Sequence, residues 1–148
     1  MIDDLYSARL LELAANLPRL GRLDAPDARV ERSAKLCGSR VVADVKVSEG
    51  VVTDFAQDVQ ACALGQASAA VLGDAVVGAR VEEIEHARDG LRAMLKEGAA
   101  PPEGRFATLA ALAPVRDYPA RHASTLLAFE AAAAAAREAA VAKTDPVG

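Results

Sequence analysis

Two cysteines carry the chemistry that this sequence suggests most directly, and they are the only thiols among its 148 residues. Cys37 follows a period-two pattern that predicts a β-strand from Ala28 to Leu36. Gly38 has no β-carbon, so a turn at this point can carry the thiol beyond the end of the sheet. Cys62 opens an apolar helix of small residues, where free backbone N–H groups favour a thiolate. Since a thiolate is both a metal ligand and a nucleophile, either role is open to these residues.

The composition narrows the class of partner. The chain has 17 Lys and Arg residues against 21 Asp and Glu residues, a formal net charge of -4. Nucleic-acid binding depends on basic residues that neutralise phosphates, so this balance argues against a nucleic-acid partner. The acidic start, Met1-Ile2-Asp3-Asp4, has no signal-peptide pattern, and no apolar run approaches the roughly 20 residues of a membrane span. We therefore expect a cytoplasmic protein with reduced thiols and no membrane partner.

Hydrophobic periodicity predicts an α+β fold in a single domain, residues 1–148. Helical spacing from Ile2 to Leu17 predicts an N-terminal helix, which Pro18 and Gly21 then end. A three-stranded antiparallel sheet is predicted from about Ala28 to Ala56, with a turn at Ser48-Glu49-Gly50. In its middle strand, alternate apolar residues are expected to face the helices: Val41, Ala43, Val45 and Val47.

Helices are predicted for the rest of the chain, four of them packed on one face of the sheet. Their cores are Leu64 to Ala75, Val81 to Leu95, Phe106 to Ala113 and an alanine-rich segment from Tyr118 to Lys143. The polyalanine run Ala131 to Ala136 indicates a well-formed helix, since alanine has the highest helix propensity. Residues 143–148 are expected to form a frayed tail.

Six short motifs follow one another along the chain: Tyr6-Ser7, Pro18-Arg19, Leu23-Asp24, Cys37-Gly38, Cys62-Ala63-Leu64-Gly65-Gln66-Ala67-Ser68 and Pro119-Ala120-Arg121-His122. Together they resemble the IscU/NifU-type iron–sulfur cluster assembly scaffold family, over a stretch from Tyr6 to Ala128. The segment Gly98 to Ala113 resembles the insertion that marks the SufU branch of that family. The resemblance implies an α+β scaffold protein that has no enzymatic chemistry of its own.

In that family, as the resemblance implies it, three cysteines and an aspartate hold a nascent cluster or a zinc ion. Cys37 and Cys62 match two of the cysteines, and His122 matches the histidine that precedes the third. Ser39 stands where the family has the aspartate, and Ala123 stands where the third cysteine belongs. The implied metal ligands are therefore Cys37, Cys62 and His122.

Three donors are one fewer than a structural zinc or an iron–sulfur cluster normally takes. The fourth place would fall to water, to an acid such as Asp58 or to a second subunit. Each cysteine could instead be a small buried side chain, and His122 an ordinary surface histidine. His86, among the acidic residues near position 85, is read as part of a solvated helix face.

Three hypotheses remain open on the sequence alone. The chain could be a scaffold that binds iron, zinc or a cluster through Cys37 and Cys62, with a cysteine desulfurase and recipient apoproteins as partners and a homodimer as a possible assembly. It could be a sulfur acceptor in which Cys62 takes persulfide sulfur from the desulfurase. It could also keep only the fold and the partner surface. A phosphate-binding Gly-rich loop and a Gly-x-Ser-x-Gly elbow are both missing from the sequence, so we expect no enzyme.

Overall fold

The computed structural model describes residues 7–35 and 38–144, and it confirms the α+β fold. The predicted first turn of the N-terminal helix, Cys37 and residues 145–148 of the predicted tail lie outside this description. In chain order the elements are α1 (Ala8–Ala15), β1 (Ala28–Ala34), β2 (Ser39–Ser48), β3 (Val51–Gln60), α2 (Ala63–Ala75), α3 (Val81–Glu97), a first 3₁₀ helix (Gly104–Asp117), a second 3₁₀ helix (Pro119–Arg121) and α4 (His122–Thr144).

The three strands form an antiparallel sheet in the order β1-β2-β3. The predicted inward residues of β2 are buried, and α4 packs against β1 and β2 on that side. This confirms that Val41, Ala43, Val45 and Val47 face the helices. The sheet extends to Gln60, four residues beyond the predicted end at Ala56. Glu49, at a positive φ of 53°, and Gly50, at 77°, make the turn between β2 and β3.

The opposite face of the sheet is partly covered as well, by the chain between α1 and β1. Asp44 on this face has no solvent-exposed side-chain surface. Its carboxylate accepts hydrogen bonds from Arg29 Nε at 2.6 Å, Arg29 Nη2 at 2.8 Å and the Leu23 backbone N–H at 2.9 Å. Burial raises the pKa of Asp44, but the bonds from Arg29 and Leu23 outweigh it, so the pKa lies below its usual range.

Two segments of the chain cover the outer edge of β3. The backbone of Gln57 donates to Arg19 O at 2.8 Å and accepts from Gly21 N at 2.9 Å. Further along the strand, Val52 makes the same kind of paired contact with the chain at residues 78 and 79. Both contacts satisfy backbone groups that an open sheet edge would leave to another chain.

The alanine-rich helix α4 lies in the centre of the molecule. It packs on the sheet on one side and on α2 and α3 on the other. Its middle is buried around most of the circumference, including Ala131, Ala132, Ala133, Ala135 and Ala136. Small side chains let the neighbouring elements approach closely. The polyalanine run therefore serves packing as well as helix formation.

The segment before α4 differs from the sequence-based expectation. The predicted α-helix at Phe106 to Ala113 is instead part of the first 3₁₀ helix, which contains Pro114 and has a kink at Phe106 (φ −106°, ψ 26°). Pro114 has no N–H to donate and its ring would clash with the carbonyl four residues earlier, so it disfavours a regular α-helix through this segment. The last helix begins at His122 rather than Tyr118. No helix among residues 7–35 and 38–144 is long and apolar enough to cross a membrane.

Candidate functional site

Cys62 lies two residues after the end of β3, at the N-cap position of α2. Its carbonyl oxygen accepts the first helical hydrogen bond, from Gln66 N at 2.9 Å. The thiol makes no capping bond to its own helix and is half-buried. Instead, its Sγ lies 3.6 Å from the Oγ of Ser124 in the first turn of α4. The thiol is thus held between two helix N-termini.

Ser124 is the residue of α4 that faces Cys62. Its side chain is buried, with 2 % exposure, and its hydroxyl donates to Arg121 O at 3.2 Å. The hydroxyl of Thr125 donates to the same carbonyl at 2.8 Å. Ala123, the position matched by sequence to the missing cysteine, is exposed. Sequence reasoning missed Ser124 because α4 is apolar on nearly all sides, so hydrophobic periodicity cannot choose between positions 123 and 124.

A glycine lets the starts of α2 and α4 meet. A β-carbon built at Gly65 would stand 2.7 Å from Ala61 Cβ and 3.1 Å from Ser124 O. The first distance is shorter than real contacts allow, so this position requires glycine. Close approach at Gly65 brings the Cys62 thiol within reach of the first turn of α4.

His122 opens α4, with a side chain that is only 6 % exposed. Its Nε2 lies 3.1 Å from both Val115 O and Arg116 O. Carbonyl oxygens only accept hydrogen bonds, so Nε2 carries the proton and donates. In the neutral ring this leaves the lone pair on Nδ1, the atom that would bind a metal. Metal binding by His122 stays a prediction.

The strand register defines the end of the sheet at which Cys62 lies. Ala34 pairs with Ser39, and Arg40 pairs with Gln60. The β1–β2 connection, in whose sequence Cys37 stands, therefore joins its strands at the end where β3 leads into Cys62. Since Cys37 is outside the described residues, its predicted convergence with Cys62 and His122 is not tested by the geometry.

Two further residues named for the site, Ser39 in place of the family's aspartate and Asp58 as an alternative fourth donor, lie in the described part of the chain. Ser39 is buried at the start of β2, and Asp58 accepts a hydrogen bond from Arg22 Nη2 at 3.3 Å. Within the described part of the chain, no three residues of His, Cys, Asp and Glu type are grouped so that they could hold a metal ion. His86 lies exposed on α3, in agreement with its interpretation as a surface residue.

Comparison with known proteins identifies the family. Residues 5–125 match the model of the NifU-like N terminal domain. The chain belongs to this family. The NifU-like chain is 31% identical over 128 residues to the iron-sulfur cluster assembly scaffold protein IscU of Thermotoga maritima, a match that covers 85% of this chain and 88% of the relative. The resemblance drawn from the sequence is thereby confirmed.

Solved structures extend the likeness to the fold. A crystal structure of a nitrogen-fixing NifU-like protein (N-terminal) from Brucella abortus is 52% identical, with a TM-score of 0.92 and coverage of 94% of this chain and 96% of that one. A SUF-system scaffold, SufU from Fervidobacterium islandicum, has a TM-score of 0.82 at 19% identity and covers 90% and 98% of the two chains. At that identity the SufU likeness is one of fold. The NifU-like fold described above is thus shared with both proteins.

Proposed function

We propose that this protein is a scaffold of iron–sulfur cluster assembly that binds iron, zinc or a nascent cluster through Cys37 and Cys62. Membership of the NifU-like family supports this role. The observation that carries the assignment of residues is the strand register, because it joins β1 to β2 at the sheet end from which β3 leads into Cys62. His122, whose Nδ1 carries the lone pair when the ring is neutral, is the third candidate ligand.

The number of donors predicts how cargo is held. A cluster normally takes four cysteine thiolates, and this chain has two cysteines. Two copies together supply four, so we expect a cluster to be bound by a homodimer. A zinc ion could instead take Cys37, Cys62 and His122 from one chain, with water or a carboxylate in the fourth place.

The expected partners follow from the same role. A cysteine desulfurase would supply sulfur, and recipient apoproteins would take the completed cluster. We expect these exchanges in the cytoplasm, with the bond-making chemistry of sulfur release performed by the desulfurase.

Anaerobic reconstitution tests the proposal directly. The purified protein is incubated with ferrous iron and sulfide, then assayed by visible absorbance, metal content and native mass spectrometry. We expect cluster absorbance in a dimeric species, lost in both Cys37→Ala and Cys62→Ala. Ser68→Ala, which removes a buried hydroxyl elsewhere on α2, serves as the control and is expected to load normally. Protein that binds neither cluster nor zinc at equimolar metal would contradict the scaffold role.

A second candidate, a sulfur acceptor, is favoured by the half-buried thiol of Cys62 at the start of α2. The Cys62 thiolate would attack the outer sulfur of a desulfurase persulfide. A new sulfur–sulfur bond forms on Cys62 while the old one breaks, and its electron pair leaves with the desulfurase thiolate.

Desulfurase turnover distinguishes the two candidates. Stimulation of turnover that survives Cys37→Ala but not Cys62→Ala would favour the sulfur acceptor. Equal stimulation by the parent and by the double variant, with metal-free purified protein, would contradict both candidates and point to a protein that keeps only the partner surface.

A further inference from the structure

A chain of three atoms links Cys62 to the backbone at Arg121, the residue directly before α4. The Cys62 Sγ lies 3.6 Å from Ser124 Oγ, and Ser124 Oγ lies 3.2 Å from Arg121 O. A serine hydroxyl has one hydrogen, and a carbonyl oxygen only accepts. With the hydroxyl donating to Arg121, its lone pair is the acceptor for the thiol S–H. Ser124 therefore bridges the sulfur to the backbone.

The same carbonyl has a second hydroxyl partner, which gives the bridge freedom to change direction. Thr125 Oγ1 donates to Arg121 O at 2.8 Å. When the hydroxyl of Ser124 turns toward the sulfur, Arg121 O keeps a hydrogen bond from Thr125. Turning therefore leaves the Arg121 carbonyl with a hydrogen bond, whereas an unpaired and partly buried carbonyl would be costly. Ser124 can accept from a thiol and donate to a sulfur that carries negative charge.

We propose that Ser124 is a positioning residue for Cys62, whose hydroxyl holds the sulfur against the first turn of α4 in both hydrogen-bond directions. The neighbouring Ala123, which is exposed and has no hydrogen-bonding side chain, takes no part. The functional meaning of this role rests on the proposed function, since Cys62 is the thiol assigned there to bind cargo. Ser124 would then limit the directions from which that cargo can bind the sulfur.

Alkylation of Cys62 tests the hydrogen bond without any metal or partner. In a Cys37→Ser background Cys62 is the only thiol, and its rate of reaction with iodoacetamide is measured at about pH 9.5, above the ordinary thiol range. The bond from Ser124 must break as the sulfur attacks, so we expect Ser124→Ala to react about fivefold faster. Ser124→Thr, which keeps a hydroxyl, should react within about twofold of the background protein.

Two control variants set the scale of the measurement. Ala123→Ser adds a hydroxyl on the exposed neighbour, and Ser68→Ala removes a buried hydroxyl that has no hydrogen-bond partner within residues 7–35 and 38–144. Both should react at the background rate. A rate for Ser124→Ala equal to the background rate would overturn the proposal, as would equal acceleration in the Thr and Ala variants.

A second pair of variants tests the contact if Ser124→Ala fails to fold. In the same background, Ser124→Cys should form a disulfide with Cys62 on mild oxidation, because the two side-chain atoms already lie in contact. Ala123→Cys should keep two free thiols in the monomer. A Ser124→Cys protein that is folded by circular dichroism and forms no disulfide would refute the contact. None of these measurements uses iron, sulfide or a desulfurase, so their failure and a failed reconstitution are separate results.

Discussion

Asp44 is a buried carboxylate on the sheet face opposite the helices, and its contribution to the stability of the protein depends on pH. The hydrogen bonds from Arg29 and Leu23 N–H hold its pKa below the usual range in spite of burial. A carboxyl whose pKa is lower in the folded state stabilises the fold fully above its unfolded value, about 3.9. That contribution is lost as the pH falls through the lowered pKa of the folded protein.

We expect Asp44→Asn to lower the free energy of unfolding by about 2 kcal/mol at pH 7, because it removes charge-assisted hydrogen bonds. The difference from the parent should shrink at about pH 3, because below the unfolded-state pKa of about 3.9 protonation of this carboxyl favours the unfolded chain. Urea denaturation at the two pH values measures both effects. Asp54→Asn is the control, since this side chain is 45% exposed and its ion pair with Arg19 spans 3.9 Å. A constant difference at both pH values would contradict the assigned role of Asp44.

At the residue scale, the sequence was enough to single out the two cysteines and to identify the family, but it did not predict the contacts of the site. Matching by motif assigned the lost ligand to Ala123, whereas Ser124 faces Cys62. One residue along a helix turns the side chain by about 100°. The burial of Asp44 could not be predicted from the sequence either, because it depends on contact with a distant chain segment near Leu23.

At the scale of elements, α4 shows why alanine is needed where helix propensity alone would accept other residues. Ala133 has no exposed surface in the structure. We expect Ala133→Leu to destabilise the protein by about 1–3 kcal/mol, because added methyl groups have no free space in a closely packed centre. Ala142→Leu, on the exposed end of the same helix, should change stability by less than about 0.5 kcal/mol. Similar unfolding free energies for the two variants would refute the packing argument.

Gly65 is a position where close packing and helix propensity predict opposite effects of an alanine substitution. Alanine is favoured over glycine within a helix by about 1 kcal/mol. We nevertheless expect Gly65→Ala to destabilise the protein by about 1–3 kcal/mol, since its β-carbon would be forced against Ala61. Gly90→Ala is the matched control, because its nearest neighbour is the ring of Pro102 at 3.1 Å, on a loop. If thermal denaturation shows Gly65→Ala to be as stable as Gly90→Ala, close approach at Gly65 is not required.

The elements themselves were predicted well where local pattern decides them. Alternation in β2 identified its inward face, and the order of strands and helices gave the fold class. The 3₁₀ helix at Gly104–Asp117 was predicted as α-helix because apolar spacing differs little between the two over so short a segment. At the kink, the ring of Phe106 meets Phe129 edge to face with centroids 5.4 Å apart, a long-range contact that local sequence pattern does not reveal.

For the whole molecule, the central burial of α4 has a consequence for motion. Amides in the middle of a helix enclosed on both sides exchange with solvent only when the whole protein unfolds, whereas short 3₁₀ segments open locally. Hydrogen exchange followed by mass spectrometry should therefore show slow exchange for residues 128–139 and faster exchange for residues 104–121. Equal protection of the two segments would contradict this expectation.

Cys62 contacts Ser124 close to the boundary between the slowly and the more rapidly exchanging segments, since α4 begins at His122 directly after the 3₁₀ helices. The side of the site formed by α4 thus belongs to the part of the chain for which we expect the slowest exchange, and the segment leading into it belongs to the part for which we expect faster exchange. In the proposed scaffold role, we expect cargo to enter or leave by local opening of that segment, at a rate set independently of global unfolding.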